Sequence, residues 1–171
     1  MKKVAVVDGN SLYHMAKDLG YHTMSALTLH HFLSDIGDGS FSNQPLFTYY
    51  EGFSTSVIIE NFKLAGFDVR LTPKGTDDDL IIQHIRSINV EEVQELILVT
   101  QDSDFLESVT EKCAAGLKVY WVGSMNAVKT ETLSYSLGIR LRNSFRGNLS
   151  FVEIENLKYK IFYNRKRRSI T

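Results

Sequence analysis

The sequence has one cysteine, two prolines and no long apolar run, and these shortages exclude several classes of protein. A single cysteine, Cys113, excludes an internal disulfide and a multi-cysteine zinc site, which favours a reducing, cytoplasmic compartment. No segment reaches the roughly 18 consecutive apolar residues of a membrane-spanning helix, and the first apolar run already ends at Asp8. We therefore expect a protein that has neither a membrane partner nor a secretory signal.

Charge and length set the next limits. With 19 basic and 20 acidic residues, the chain has a formal net charge of −1, so composition argues neither for nor against a nucleic-acid partner. Its 171 residues are 43% hydrophobic and 23% charged, which is typical of one folded domain with a substantial core. We predict a main domain over residues 1–147 and a C-terminal extension over residues 148–171.

Apolar β-type runs alternate with stretches of helical spacing, such as Leu29, Phe32, Leu33 and Ile36. This alternation predicts an α/β fold with a mainly parallel sheet covered by helices. In the extension, two further β-type runs flank "ENL" and predict a short β-hairpin before a basic tail. The five runs of the main domain lie at residues 3–7, 46–50, 67–71, 95–99 and 117–122.

Acidic groups follow three of the predicted strands: "DGN" at 8–10, "TDDDL" at 76–80 and "TQDSDF" at 100–105. Because the carboxyl ends of parallel strands meet at one edge of a sheet, we expect these groups to converge. Crowded carboxylates repel one another unless a cation neutralises them, and hard oxygen ligands suit Mg²⁺ or Mn²⁺. Such a site activates water for in-line attack at phosphorus, so the sequence points to phosphodiester chemistry.

Each acidic group also has a structural interpretation. Asp8 fits the end of a strand in an Asp-Gly turn. Thr76 fits a helix N-cap with Asp79 as its capping-box acid, and Asp77 and Asp78 fit first-turn charges that the helix dipole favours. For Asp78 and Asp79 this interpretation is the preferred one.

The segments "VAVVDGNSL", "KGTDDDL" and "LVTQDSDFLESVTEKCAAGLKVYWVG" together resemble the NYN domain, a branch of the PIN-like nuclease superfamily, over roughly residues 3–140. The resemblance implies a three-layer α/β/α sandwich and metal-dependent nuclease chemistry, usually on RNA. It also implies that four carboxylates are catalytic and bind Mg²⁺ or Mn²⁺. By position, these are Asp8, Asp77, Asp102 and Asp104.

The resemblance assigns further roles around these carboxylates. Asn10 would orient a carboxylate, a water or a phosphate, Lys74 would contact the substrate phosphate, and Ser103 would fix the loop. The chain departs from the family pattern at Gln101, because it has Thr-Gln where the family has Ser-Gly. It also departs at Gln83, near which the family often has an acid.

Basic and aromatic residues are interleaved in the C-terminal tail. Basic side chains neutralise phosphates and aromatic rings stack on unpaired bases, so the tail predicts contact with single-stranded nucleic acid, RNA in the first place. A solvated charged end is the alternative. The apolar runs of the same extension would also allow pairing across subunits in a homodimer. The basic residues assigned to substrate binding are Arg165, Lys166, Arg167 and Arg168.

Three functional hypotheses remain open from the sequence. The first is a metal-dependent ribonuclease, and the second is a nucleic-acid-binding or regulatory protein that kept a PIN-like scaffold without turnover. The third is a haloacid-dehalogenase-like phosphatase, whose chemistry needs a second aspartate two residues after the nucleophile, where this chain has Asn10. A receiver-type signalling domain is disfavoured because it needs an acidic pair after the first strand, and this chain has Asp8 alone.

Overall fold

The computed structural model describes residues 1–50, 56–73, 75–127, 147–156 and 158–165. The helices are α1 (Gly9–Asp18), α2 (Ala26–Asp35), α3 (Ser56–Leu64), α4 (Asp77–Arg86) and α5 (Leu106–Ala114), with a 3-10 turn (Ser103–Phe105) before α5. The strands are β1 (Lys2–Asp8), β2 (Tyr21–Met24), β3 (Ser40–Phe41), β4 (Leu46–Tyr50), β5 (Asp68–Thr72), β6 (Glu95–Val99), β7 (Lys118–Gly123), β8 (Leu149–Glu153) and β9 (Phe162–Arg165). None of the described helices is long and apolar enough to cross a bilayer.

In the described part of the chain, seven strands form the central sheet, in the order β5-β4-β1-β6-β7-β8 with β3 also beside β1. Each strand pair that the described residues form in this sheet is parallel. The chain builds outward from β1 through β4 to β5, and then crosses back to β6 on the other side of β1. The strand order therefore reverses between β1 and β6, which is where open α/β sheets form their sites.

Apolar side chains fill both faces of the sheet. On one face, α1, α2 and α3 pack around Phe47 and Phe62, and on the other face α4 and α5 pack around Trp121. Strands such as β6 are buried along their whole length because both of their faces are covered. The predicted three-layer α/β/α sandwich with a mainly parallel sheet is confirmed.

The predicted C-terminal β-hairpin is wrong. Strand β8 lies parallel to β7 in the central sheet, with Phe151 opposite Trp121. Strand β9 instead pairs antiparallel with β2 in a separate two-stranded sheet, with Tyr163 opposite Thr23. The physical reason is burial, since an isolated hairpin is marginally stable, whereas β8 and β9 bury Leu149 and Phe162 in the two cores by joining existing elements.

Two charged residues are buried at the edge of the sheet opposite the acidic motifs. Lys3 and Glu95 are neighbours in the β1–β6 register, and each is 1% exposed. The Glu95 carboxylate accepts hydrogen bonds from the backbone N–H groups of Asp38 and Gly39. Lys3 Nζ donates to the carbonyl oxygens of Leu33, Ser34 and Ile36 at 3.2, 2.6 and 2.8 Å. Together these bonds hold the end of α2 and the loop after it against the two central strands.

Candidate metal centre

Three carboxylates converge at the carboxyl edge of the sheet. One oxygen from each of Asp78, Asp102 and Asp104 lies within 4.8 Å of the other two. Asp78 and Asp102 are partly buried and Asp104 is exposed, so the group opens to solvent on one side. An all-oxygen, anionic donor set with an open side fits Mg²⁺ or Mn²⁺, which keep waters in their coordination shell. We refer to these three residues as the acidic group.

The loop after β6 holds two members of the acidic group. Asp102 caps the 3-10 turn, because its Oδ1 accepts a 2.9 Å hydrogen bond from the backbone N–H of Asp104. Phe105, the last residue of that turn, is fully buried in the core on the α4–α5 face. The cap and the buried ring together fix the short segment that carries both carboxylates.

The third member comes from the first turn of α4. Thr76 occupies the N-cap position, as predicted, but its hydroxyl donates to the Pro73 carbonyl at 2.8 Å and does not cap the helix. Asp78 lies in the first turn, as the sequence also indicated, where the helix dipole favours a negative charge. The same position brings its carboxylate close to Asp102 and Asp104, a proximity that the first-turn interpretation did not predict.

Asp8 lies beside the acidic group and is linked to it by Thr100. Asp8 is 4% exposed and caps α1, with its Oδ1 accepting from the backbone N–H of Ser11 at 3.3 Å. Its Oδ2 accepts from the Thr100 hydroxyl at 3.0 Å, and that hydroxyl accepts from the backbone N–H of Asp102 at 3.1 Å. Asp8 is therefore a buried, hydrogen-bonded neighbour of the three carboxylates.

The second residue of the "DGN" motif is Gly9, and its close contacts explain why this position is glycine. The chain makes no Asp-Gly turn there, because α1 begins at Gly9 immediately after β1. A Cβ atom at this position would contact the Thr48 carbonyl oxygen and lie 2.6 Å from Cζ of Phe47. Only glycine lets β4 pass this closely beneath the start of α1.

Other residues assigned from the sequence have different outcomes. Asn10 is buried in the first turn of α1, and Ser103 begins the 3-10 turn between Asp102 and Asp104. Their proposed contacts with substrate stay predictions. The remaining assignments also stay predictions, since the side chains of Asp77 and Arg165 and the whole of Lys74 and residues 166–168 lie outside the described residues.

A search of solved structures matches the chain to a crystal structure of a protein of unknown function from Vibrio parahaemolyticus. The two agree with a TM-score of 0.68 at 18% sequence identity, over 91% of this chain and 93% of that chain. The fold is shared. No family model matches the sequence, and no curated protein matches it. The similarity therefore supports the architecture, and the chemistry has to be argued from the residues at the edge of the sheet.

Thr100 is the residue that the sequence analysis left without a role at this edge. It is fully buried, and besides its bonds to Asp8 and Asp102 its carbonyl oxygen accepts from the Trp121 indole N–H at 3.0 Å. The signal in the sequence for this role was a hydroxyl residue placed between an apolar strand and a pair of aspartates. Its position, directly after "ELILV", places it at the strand end where the acidic motifs meet.

Proposed function

We propose that the protein is a metal-dependent nuclease that hydrolyses phosphodiester bonds, with RNA as its substrate and Mg²⁺ or Mn²⁺ as its cofactor. The observation that carries this proposal is the convergence of Asp78, Asp102 and Asp104 within 4.8 Å beside the switch point of the sheet. The resemblance to NYN domains rests on the motifs that contain these residues. Fold and site chemistry thus support one class of reaction.

The chain's own residues would divide the work as follows. The acidic group would hold the cation, and the exposed side at Asp104 would leave room for a phosphate and water. A bound Mg²⁺ or Mn²⁺ supplies Lewis-acid polarisation of a phosphoryl oxygen and lowers the pKa of a coordinated water. Asp8 would add negative charge near the group, while Thr100, through its hydroxyl, would fix the backbone of Asp102 relative to Asp8.

RNA is proposed as the substrate because of the C-terminal segment as well as the resemblance. In its described part, the Lys158 ammonium lies 5.4 Å from the centroid of the Tyr159 ring, and Tyr163 is 45% exposed. An exposed cation and the accessible ring of Tyr163 suit phosphate contact and stacking on an unpaired base, whereas the Tyr159 ring is partly buried against Phe32. The basic residues that follow at 166–168 would add to this attraction.

One observation favours a second candidate, a PIN-like nucleic-acid-binding or regulatory protein without turnover. Asp8, the acid of the first motif, gives both of its oxygens to Ser11 and Thr100 and is not among the three carboxylates of the acidic group. If the acid of the first motif does not join the group that the described residues form, the site would bind metal more weakly. The same bonds and the burial of Asp8 give no support to a phosphatase that uses this residue as a nucleophile.

The deciding experiment is cleavage of end-labelled single-stranded RNA by the purified chain with Mn²⁺, with Mg²⁺ and with EDTA. We expect metal-dependent cleavage that Asp102→Asn abolishes, because asparagine keeps the Oδ1 that caps the 3-10 turn and loses the charge. Asp79→Asn is the matched control, since Asp79 is exposed in the same turn of α4 as Asp78 and lies outside the acidic group.

Two results would contradict the nuclease proposal. RNA binding without cleavage under either metal, over a broad set of substrates, would favour the second candidate. Hydrolysis of small phosphomonoesters with a covalent phosphate on Asp8 would favour a phosphatase.

A further inference from the structure

Gln101 joins the loop of the acidic group to the end of β7. Its side chain is buried, with 8% exposed, and it meets the backbone of Ser124 as one peptide group meets another in a sheet. Nε2 donates to the Ser124 carbonyl oxygen at 3.0 Å, and Oε1 accepts from the Ser124 N–H at 3.0 Å. The amide is therefore satisfied on both sides by a strand end that is distant in sequence.

The main chain of Gln101 is held as well. Its N–H donates to the hydroxyl of Ser11 in the first turn of α1. Thr100, one residue earlier, bonds to Asp8 and Trp121, and Asp102, one residue later, bonds back to Thr100. Two consecutive residues, Thr100 and Gln101, thus connect the loop to β1, α1 and β7 immediately before Asp102.

Repulsion among the carboxylates explains why this loop has to be held in place. The carboxylates of Asp78, Asp102 and Asp104 repel one another, so a loop without restraint would move the second and third away from α4. A cation binds more tightly to ligands that are already close, because the protein has met the cost of bringing them together during folding. The residue between Thr100 and Asp102 is well placed to supply that restraint.

We propose that Gln101 is a positioning residue for the metal centre. The two hydrogen bonds between its amide and the backbone of Ser124 keep Asp102 and Asp104 within ligand distance of Asp78. This inference rests on the proposed function, because it assumes that the acidic group binds a cation. It assigns a role to the position at which this chain departs from the Ser-Gly pattern. A glycine there has no side chain with which to form these two hydrogen bonds.

The test is the Kd of the purified chain for Mn²⁺, measured by titration calorimetry without any substrate. Gln101→Met keeps the length of the side chain and removes both hydrogen bonds, and we expect it to weaken Mn²⁺ binding by about tenfold, the lower range for outer partners of metal ligands. Gly123→Ala is a second, independent perturbation, because a Cβ there would contact Gln101 Oε1 and displace the amide. We expect a similar loss from it.

Gln94→Met is the matched control. Gln94 precedes β6 as Gln101 follows it, and its amide also bonds to backbone groups, accepting from Lys2 N–H at 2.9 Å and donating to the Glu91 carbonyl at 3.1 Å. The Gln101 bonds are buried and the Gln94 bonds are exposed, so Gln101→Met should lose more stability in urea unfolding, and Mn²⁺ binding is compared where both variants are fully folded. Gln94→Met should bind Mn²⁺ with wild-type affinity, so the loss of a glutamine amide beside β6 does not by itself weaken binding.

The outcomes separate the two proposals. Wild-type Mn²⁺ affinity in both Gln101→Met and Gly123→Ala, with affinity lost in Asp102→Asn, would overturn the role of Gln101 and leave the metal centre standing. If the wild-type chain binds no Mn²⁺, the metal centre and the positioning role both fail. Should Gln101→Met not fold, Gly123→Ala decides the question.

Discussion

The Thr100 hydroxyl donates a 3.0 Å hydrogen bond to Asp8 across a sequence separation of 92 residues. Asp8 ends β1 and Thr100 follows β6, so this bond crosses the point where the strand order reverses. Thr100 is fully buried and Asp8 is 4% exposed, which leaves the carboxylate dependent on protein donors. Burying a carboxylate without such donors is costly.

Thr100→Val should therefore destabilise the protein. Valine keeps the branched shape and removes the hydroxyl, so Asp8 loses a donor and the N–H of Asp102 loses an acceptor. We expect the free energy of unfolding to fall by about 1–3 kcal/mol. Thr100→Ser keeps the hydroxyl and should retain most of the hydrogen-bond energy. Urea unfolding at neutral pH measures both, and a valine variant as stable as the serine variant would contradict the bond's importance.

Lys3→Met should be more destabilising still. Lys3 Nζ donates to three carbonyl groups at the end of α2, so its replacement would remove a donor from each of them and a neighbouring positive charge from Glu95. We expect a loss of about 3 kcal/mol in the free energy of unfolding, as for other broken buried charge networks. Lys2→Met on the same strand is the control, because the Lys2 side chain is exposed and should matter by less than about 0.5 kcal/mol.

Acid should weaken the fold through His30. Burial lowers the pKa of the His30 imidazole, and the neighbouring charge of His31 lowers it further. The unfolded chain then takes up a proton more readily than the native one, so stability is complete above the ordinary histidine pKa of about 6.5 and falls as pH drops below it. The aromatic rings of Phe41 and Phe67 around His30 offer the proton no counter-charge.

His30→Gln should accordingly reduce the slope of unfolding free energy against pH between about pH 7 and pH 5. Some slope will remain, because burial and the charge of Arg70 lower the pKa of His84 as well. His22→Gln, at an exposed position, is the control. Urea unfolding across this range makes the comparison, and an unchanged slope in His30→Gln would rule His30 out as the cause.

Cys113 should react slowly while the protein is folded. Burial raises the pKa of its thiol to about 11, so the reactive thiolate is scarce near pH 8, about one molecule in a thousand. We expect a disulfide reagent such as DTNB to modify the native protein far more slowly than the protein in urea. The rate for a free cysteine provides the reference, and a native rate equal to it would show that the thiol is accessible and normally acidic.

Five of the seven strands described in the central sheet were predictable, because their sequences form apolar β-type runs. "ELILV" and "LFTYY" match β6 and β4 residue for residue. Strand β2, "YHTM", has no such signature, since it is only partly buried. Its pairing with β9 depends on where α1 and α2 place it, which is tertiary information that a local pattern does not contain.

The acidic group was predictable in part. Asp102 and Asp104 come shortly after a buried strand, so their place at the carboxyl edge of the sheet could be predicted. Asp77, Asp78 and Asp79 are instead consecutive on a helix, which turns by about 100° per residue. A local pattern does not fix which of these three faces the edge, and the structure brings Asp78 there. The sequence showed Gln101 only as a larger residue where the family has glycine. A local pattern did not show that its side-chain amide bonds to the backbone of Ser124.

The central place of β1 has a consequence for how the chain folds as it is synthesised. Val6 pairs with Leu46 and Lys3 pairs with Glu95, so β1 must wait until β6 has been made before both of its edges are covered. Such long-range parallel pairing is slow to form. We expect nascent chains that end before β6 to remain sensitive to proteases. Asp8 would then gain the hydrogen bond from Thr100 only after another 92 residues have been made.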